Sequence, residues 1–495
     1  AERNIHWGAV TGNITGNIHA DGGIVGVNAD GFIKSSITAG TDIGKTPTTP
    51  YGDPDWRPFS SDPYWYGGTS SYLPLGTGVR AKGTISGGVE ASTGDVTDVV
   101  SDKGAVEADI VAGNDIGSVR ASTTISGDIT AERDIGTVST GLMISGDLVA
   151  GRDVRAVYAT GYLSGTGFMP GIGSMSGIEF VPDAGDVTGS IRAGRNVGSV
   201  EANHDVTATI VAEMGGVQRI RAGRDIAGDI TAFVGIGYLP EETSPWDYWY
   251  SGTIPPQVQA GRDITGNLTA ETGNIGWVKE YPNDPMFMMY PNMGHYARYG
   301  GGVAAGRHLD GDVTATLGGI AEVWAGIRFV EHGDKGRVGG DVTAKKYDLT
   351  VTATGAVLGD VSAGWGVHLT AGLELTGDIE AKDGKADISV GLHVNSTIFG
   401  RLGVSVEAGR EVAGSVEAGD DEHWANASVM SAGAVSSPVT ASGGASVAAA
   451  KGVSGAVFGW GDVTVTAGDD VSGSAISGGS TSSVTTTAMV LLSPG

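Results

Sequence analysis

The sequence predicts an all-β chain, wound as one long right-handed parallel β-solenoid of about 19 residues per coil and roughly twenty coils over residues 1–495. Three observations carry the prediction. The phrase SGD-(Ile/Leu)-x-Ala-x-Arg-Asp-(Ile/Val) occurs twice between Ser126 and Val154, and the alanines opening AGNDI, AERDI and AGRDV (Ala112, Ala131, Ala150) stand nineteen apart. Apolar residues come singly, as Val, Ile or Ala between small polar residues, and no helical i, i+3, i+4, i+7 stripe persists. Gly followed by Asp or Asn recurs at the breaks, at Gly127, Gly146, Gly228, Gly266, Gly311, Gly340, Gly359 and Gly377. That pairing suits a tight bend, with Gly supplying positive φ and the acid an Asx bond within the turn.

Aligned on alanine, the frame A-x-x-D-I-G-x-V-x-A-x-x-x-I-x-G-D-I-x predicts the core. Ala131, Ile135, Val138, Ile144 and Leu148 fill it once; Ala193, Val197, Val200, Val206 and Ile210 fill it again. Ala212, Val217, Ile220, Ile226 and Ile230 follow, and later Ala344, Leu349, Val351, Val357 and Val361. Short β-branched pieces cannot bury a face alone, but stacked coil on coil they set each aliphatic over its counterpart. At about 4.8 Å per coil the result is a rod on the order of 100 Å long. The frame weakens over Lys382–Val406 and Asp420–Val453.

Composition narrows the function. Thirty basic against 56 acidic residues give a formal charge of −26, which repels nucleic acid and anionic lipid, so neither is an expected partner. With no Cys, a disulfide framework, a CxxC zinc site and a thiol nucleophile are all excluded. No run approaches eighteen apolar residues, which argues against membrane insertion, and the opening AERNIHWGAV lacks a signal-peptide pattern and an initiator Met. A mature product or an excised segment is therefore expected.

Four stretches leave the frame: 45–77, 160–184, 238–257 and 277–302. The first, third and fourth hold 11 of the 14 Tyr, 13 of the 17 Pro and 5 of the 10 Trp. Each of these three departs after an Ile-Gly pair (Ile43, Ile236, Ile275) and re-enters at a core Val (Val79, Val258, Val303), so all three are expected to decorate one corner. The excursion 160–184, with Tyr162, Phe168 and Phe180, leaves from a neighbouring corner. Function concentrates on such loops. The candidate contact residues are Trp56, Tyr64, Trp65 and Tyr66, then Trp246, Tyr248, Trp249 and Tyr250, then Tyr290, Tyr296 and Tyr299. Their rings suit stacking on sugars or an adhesive protein contact, and equally suit packing a long loop against the flank of the rod.

Candidate chemistry is sparse. Asp128, Asp147, Asp229, Asp312, Asp341, Asp360 and Asp378 share one column, and a column of carboxylates, at Asp128, Asp147, Asp341 and Asp360 above all, suits structural calcium. No GGxGxD nonapeptide or EF-hand loop accompanies it, so turn capping is the simpler role. The arginines of the AGR-D/N phrases, Arg152, Arg195, Arg224 and Arg262, are expected to screen the acids weakly. Nine His are scattered without HExxH or a pair at ligand spacing, and GDDEHW at Asp420–Trp424 reads as a solvated loop. No catalytic residue or cofactor is assigned. A polysaccharide lyase or hydrolase, the enzyme class parallel β-helices often host, would need paired carboxylates or a base with cations, and neither set stands out.

The phrases AGRDITGNLTAETGNI (Ala260–Ile275) and AGRDIAGDITA (Ala222–Ala232) resemble the haemagglutinin-type repeats of filamentous-haemagglutinin adhesins, and GDI-x-A is more weakly similar to polymerising bactofilins. The first resemblance implies a secreted, right-handed β-helix at the cell surface. AERNI at the start and AGDDVSGSAIS near the Ser/Thr-rich end (478–495) are still in phrase, so the partners expected at the ends are further copies of the chain or flanking repeats of a longer one. The sequence thus points to a non-enzymatic extracellular fibre subunit or adhesin stalk. The alternative is a carbohydrate-binding or polysaccharide-degrading β-helix that uses its aromatic loops.

Overall fold

The computed structural model describes residues 4–5, 8–44, 78–160, 162–164, 178–180, 184–237, 257–279, 298–300, 302–326, 335–478 and 482–486. The chain divides into two compact units, Ala1–Ile254 and Pro255–Gly495, and each is a parallel β-solenoid; together they make about nineteen turns of roughly 19 residues.

One coil of the first unit shows how sequence becomes structure. The long strand Ile135–Thr140 turns Ile135, Val138 and Thr140 inward. A corner leads to Ile144, a second corner to the short strand Leu148–Ala150, and a third to the next long strand, Val154–Ala159. Ile135 pairs with Val154, Val138 with Val157 and Thr140 with Ala159, all in parallel. Leu148 and Ala150 lie in register with Ile191 and Ala193 one coil on. Inward residues therefore stack like on like, and Ile135, Val138, Ile144 and Leu148 are each 1% exposed or less. Every predicted core column, from Ala131 through Val361, is buried. Each fully buried Val, Ile or Leu contributes about 1.5–3 kcal/mol of apolar transfer, and the stack repeats that gain on every coil.

The shortening of the frame in the second unit begins at Leu349 and has a simple cause. In Val197–Ala202 two outward residues separate the first two inward ones, so the six-residue strand is bent. Leu349–Ala353 and Val463–Ala467 have lost one of them and alternate strictly. A one-residue deletion at the bend keeps every later side chain on its proper face, whereas elsewhere in a strand it would turn the core outward. The spacing of paired residues falls from nineteen (Ile129 to Leu148) to eighteen (Val361 to Ile379).

The Gly-Asp corners correct the turn chemistry expected of them. Positive φ occurs at other glycines, including Gly44, Gly237 and Gly276. Gly146 is required for a different reason: a β-carbon there would be driven into the carbonyl oxygen of Gly127 on the preceding coil, and Gly340 and Gly359 stand in the same relation to Gly311 and Gly340. At these glycines backbone lies on backbone, and in other coils the same column takes the smallest side chain, at the buried Ala108 and Ala208.

Gly44, Gly237 and Gly276, with φ of 98°, 80° and 83°, each sit at a point of departure. The three aromatic excursions leave from the same place in the repeat, and that place is the bend inside the long strand, since Ile43 pairs with Val96 and Val79 pairs with Val99 of one unbroken strand. It is not a turn between strands. Two excursions begin as antiparallel arms, Tyr162–Ser164 against Ile178–Phe180 and Trp277–Lys279 against Arg298–Gly300. A further excursion, 327–334, escapes the sequence reading because it is short and has no Pro or Tyr; it follows Gly326 (φ 86°), and Val313 to Val342 consequently spans twenty-nine residues.

Backbone contact at the corners has a measurable consequence. Gly146→Ala is expected to destabilise by about 1–3 kcal/mol through overpacking, read as a lowered denaturation midpoint. Gly12→Ala, where a β-carbon meets nothing within 4 Å, is expected to stay within about 0.5 kcal/mol of the parent. Equal midpoints for the two variants would contradict the stacking.

Candidate functional site

Because coils lie in register, a polar residue at a corner stands directly over its equivalent, and the structure uses this at all three corners. At the Gly-Asp corner of the first unit, Oδ1 of Asp109, Asp128 and Asp147 accepts the backbone N–H of Asp128, Asp147 and Ser190 at 2.9–3.0 Å. In the second unit Asp312, Asp341, Asp360 and Asp378 accept from Asp341, Asp360, Asp378 and Thr397 at 2.8–2.9 Å. Each aspartate thus ties its corner to the corner above, and the Asx bond expected within a turn is replaced by one between coils. Asp128, Asp147, Asp341 and Asp360, nominated for calcium, each commit one carboxylate oxygen to this ladder.

The ladder at the corner entering the long strand is more deeply set. Asp115, Asp134 and Asp153 each donate their N–H to the aspartate one coil before, at 3.0–3.2 Å, and Asn196 continues the series on Asp153 at 3.1 Å. The Asp153 side chain is 2% exposed. Burial alone would raise its carboxyl, but the Arg195 guanidinium forks onto both oxygens, with Nε at 3.0 Å from Oδ1, and the Asn196 amide adds two more hydrogen bonds; together they hold it below the usual carboxylate range. Asp263 is likewise pushed up by burial and pulled lower by Arg307 and the His308 N–H. Arg224 forks onto Asp205, and Arg152 lies 3.6 Å from Asp134. The arginines therefore do more than the weak screening expected from sequence: forked bonds to half-buried acids are among the stronger polar contacts.

Among the described residues one set of three potential ligand atoms lies within 4.8 Å of one another, on Asp186, His204 and Asp205. His204 Nδ1 is 2.8 Å from Asp186 Oδ1 and 3.4 Å from Asp205 Oδ2. Donor types suit a transition metal, but both Asp205 oxygens are already held by Arg224, whose charge competes with a cation. The cluster belongs to a ladder of its own at the third corner, before the Ile144 column, where Asp205 donates its N–H to Asp186 and Asp225 to Asp205, with an imidazole between them.

GDDEHW faces solvent and is an organised loop. Asp420 Oδ1 accepts from the backbone N–H of Glu422 (3.0 Å) and His423 (2.8 Å) and from His423 Nδ1 (2.7 Å). Arg401 Nε donates to Asp420 Oδ2 at 2.8 Å, and its Nη1 reaches Asp383 at 2.8 Å. The imidazole bond, with the two backbone donors, holds the Asp420 carboxyl at about 2. An Asp–His pair beside a serine suggests hydrolase chemistry, but Ser442 Oγ donates to the carbonyl of His423 and accepts from the N–H of Ala425. That hydroxyl fastens the loop to the next coil and is not oriented as a nucleophile.

Of the sequence-nominated contact residues, Trp56, Tyr64, Trp65, Tyr66, Trp246, Tyr248, Trp249, Tyr250, Tyr290 and Tyr296 lie outside the described residues. Tyr299 is on the strand Arg298–Gly300, opposite Val278. The sequence reading missed a second aromatic set, on the corner that follows the short strand in the second unit. Trp365, Trp424 and Trp460 are there, 56%, 77% and 58% exposed, with the aliphatic Leu402, 56% exposed, among them. Its signal is AGW and FGW, a Trp separated by Gly364 from the strand Val361–Ala363 and one directly after the strand Val457–Gly459, at a corner that also carries the exposed Met214, Phe233 and Leu317. No family model matches the chain, and no curated protein and no solved structure matches it either.

Two outcomes follow. Asp153→Ala removes a buried acceptor from four donors' reach and is expected to destabilise by about 2–3 kcal/mol, with Asp153→Asn intermediate; Asp147→Ala, on the exposed ladder, is expected to lose about 1 kcal/mol or less. Chemical denaturation ranks the three. Asp153, Asp263 and Asp420 titrate lower folded than unfolded, so the stability they add is complete above about pH 4 and is lost as pH falls towards 2. Thermal melts should hold level from pH 7 to about 5 and drop below 4; a midpoint insensitive to acid would contradict this.

Proposed function

We propose that the chain is a non-enzymatic structural β-solenoid of the cell exterior, a fibre subunit or adhesin stalk whose work is to provide length and surface. What supports the reading best is the state of the last described coil. Ser482–Thr486 pairs with Val463–Ala467 on one edge, and Val484 stands where Val465 does one coil earlier. Val465 is 1% exposed and Val484 52%. An inward position in water, on a strand with one pairing partner among the described residues, is the geometry that accepts one more coil.

The first described coil offers the matching half. Val10, in register with the buried Ala29, is 43% exposed. A further coil, of a second copy or of flanking repeats, covers such positions with the same registers that run through the interior. The use of corner acids and arginines as ties between coils fits this reading, since a repeating strut needs its polar groups for cohesion. The haemagglutinin-type phrasing supports placement outside the cell.

Sedimentation and negative-stain microscopy of the purified chain test the proposal. Concentration-dependent end-to-end association is expected, abolished by Val484→Asp with the circular dichroism spectrum unchanged. Particles of one chain's length at every concentration would argue against assembly through copies of this chain.

A further inference from the structure

The corner that follows the short strand in the second unit carries a file of rings that the fold does not need. In coil order its rings are Tyr347, Trp365, Trp424 and Trp460, with the aliphatic Leu402 one coil before Trp424; there is one coil between the first two, three between Trp365 and Trp424, and two between Trp424 and Trp460. At about 4.8 Å per coil the last pair is about 10 Å apart and the file about 30 Å long.

Three independent features hold these rings in place. Tyr347 is the one non-glycine residue with positive φ among the described residues, at 65°; this left-handed conformation is unfavourable for a bulky residue, and it lays the ring against Gly319. Trp460 rests on Gly478 and meets the edge of Phe458 at 5.5 Å and 84°. Trp424 rides on the Asp420 loop, where the coil is lengthened: Val416 to Val439 spans twenty-three residues, against eighteen for Val439 to Val457. The Arg401–Asp420–His423 bonds fix that loop, yet Trp424 remains 77% exposed. Backbone strain sets the half-buried Tyr347, while an insertion and a hydrogen-bond network hold the Trp424 indole in water, which is unfavourable unless a ligand covers it.

We propose that this corner is a binding site for an extended neutral polysaccharide lying along the solenoid axis. The apolar C–H faces of pyranose rings stack on indole and phenol faces, and an extended β-linked glycan advances by close to one coil rise per ring, so rings set at whole-coil intervals meet sugars in phase. A protein partner calls for a contiguous apolar core, whereas here single rings alternate with Arg401, Asp383 and Asp420, groups that hydrogen-bond hydroxyls. Asp421 and Glu422, beside Trp424, disfavour a polyanion. The site does not depend on end-to-end assembly, and it is separate from the aromatic excursions.

The test is affinity electrophoresis of the full chain through gels containing soluble hydroxyethylcellulose, galactomannan, xyloglucan or alginate, with tryptophan fluorescence titration of the retarding glycan. Retardation by at least one of the three neutral glycans, and none by alginate, is expected. Trp424→Ala and Trp460→Ala should each weaken binding about tenfold, with the double variant unretarded. Both side chains are exposed, so melting temperatures should match the parent and separate lost contact from lost fold. No retardation by any neutral glycan, equal retardation of parent and double variant, or a protein partner lost in the double variant while all glycans are inert would each overturn the proposal.

Discussion

Every feature of this protein depends on one constraint, the in-register superposition of successive coils. A parallel ladder fixes the rise at about 4.8 Å, and the coil above then repeats the coil below atom over atom. Apolar side chains become continuous columns, as Ile135 over Ile116 and under Val154. Carbonyl oxygens come so close at the corners that a β-carbon added at Gly127 or Gly146 would run into one. Aspartates fall one above another, which in isolation is repulsive. The structure turns that repulsion into cohesion by aiming each carboxylate at the N–H of the next coil and by placing an arginine fork on the most buried of them.

This accounts for how a chain of charge −26 forms a stack of acids. At the deepest ladder Asp134 and Asp153 are 8% and 2% exposed, and there Arg152, Arg155 and Arg195 converge on them. At the Gly-Asp ladder, where water reaches the carboxylates, the N–H bond alone suffices. Between these two ladders of the first unit, arginine placement follows burial, as desolvation requires.

The fold was legible because a solenoid writes its tertiary contacts into sequence spacing. Residues nineteen apart touch, so the columns of Ile135, Ile144 and Leu148 could be named without coordinates. Less was visible at the corners. Gly146 and Asp147 were recognised as a pair, but a turn cap and an inter-coil tie have the same sequence, and only the register distinguishes them. The bend that absorbs a lost residue was hidden because Leu349–Ala353 and Val197–Ala202 differ by one outward position that carries no apolar signal. Aromatic density drew attention to the long excursions, whereas Trp365 and Trp460 are isolated letters whose alignment on one corner emerges only after wrapping.

That alignment also shows where such a fold can acquire specificity. Strand interiors are closed to change, since an inward residue is packed on every side and a shift of register turns the core outward. Corners and the mid-strand bend are open, because an extra segment there leaves both neighbouring registers intact, as Val416 to Val439 shows by holding its pairing across five added residues. Any side chain placed at a corner is repeated in space at multiples of the coil rise, so a solenoid reads its ligands as a ruler does, by interval along one axis. Partners matched to that geometry are themselves linear and periodic, and the same stacking that makes the chain a strut sets the spacing of what can lie along it.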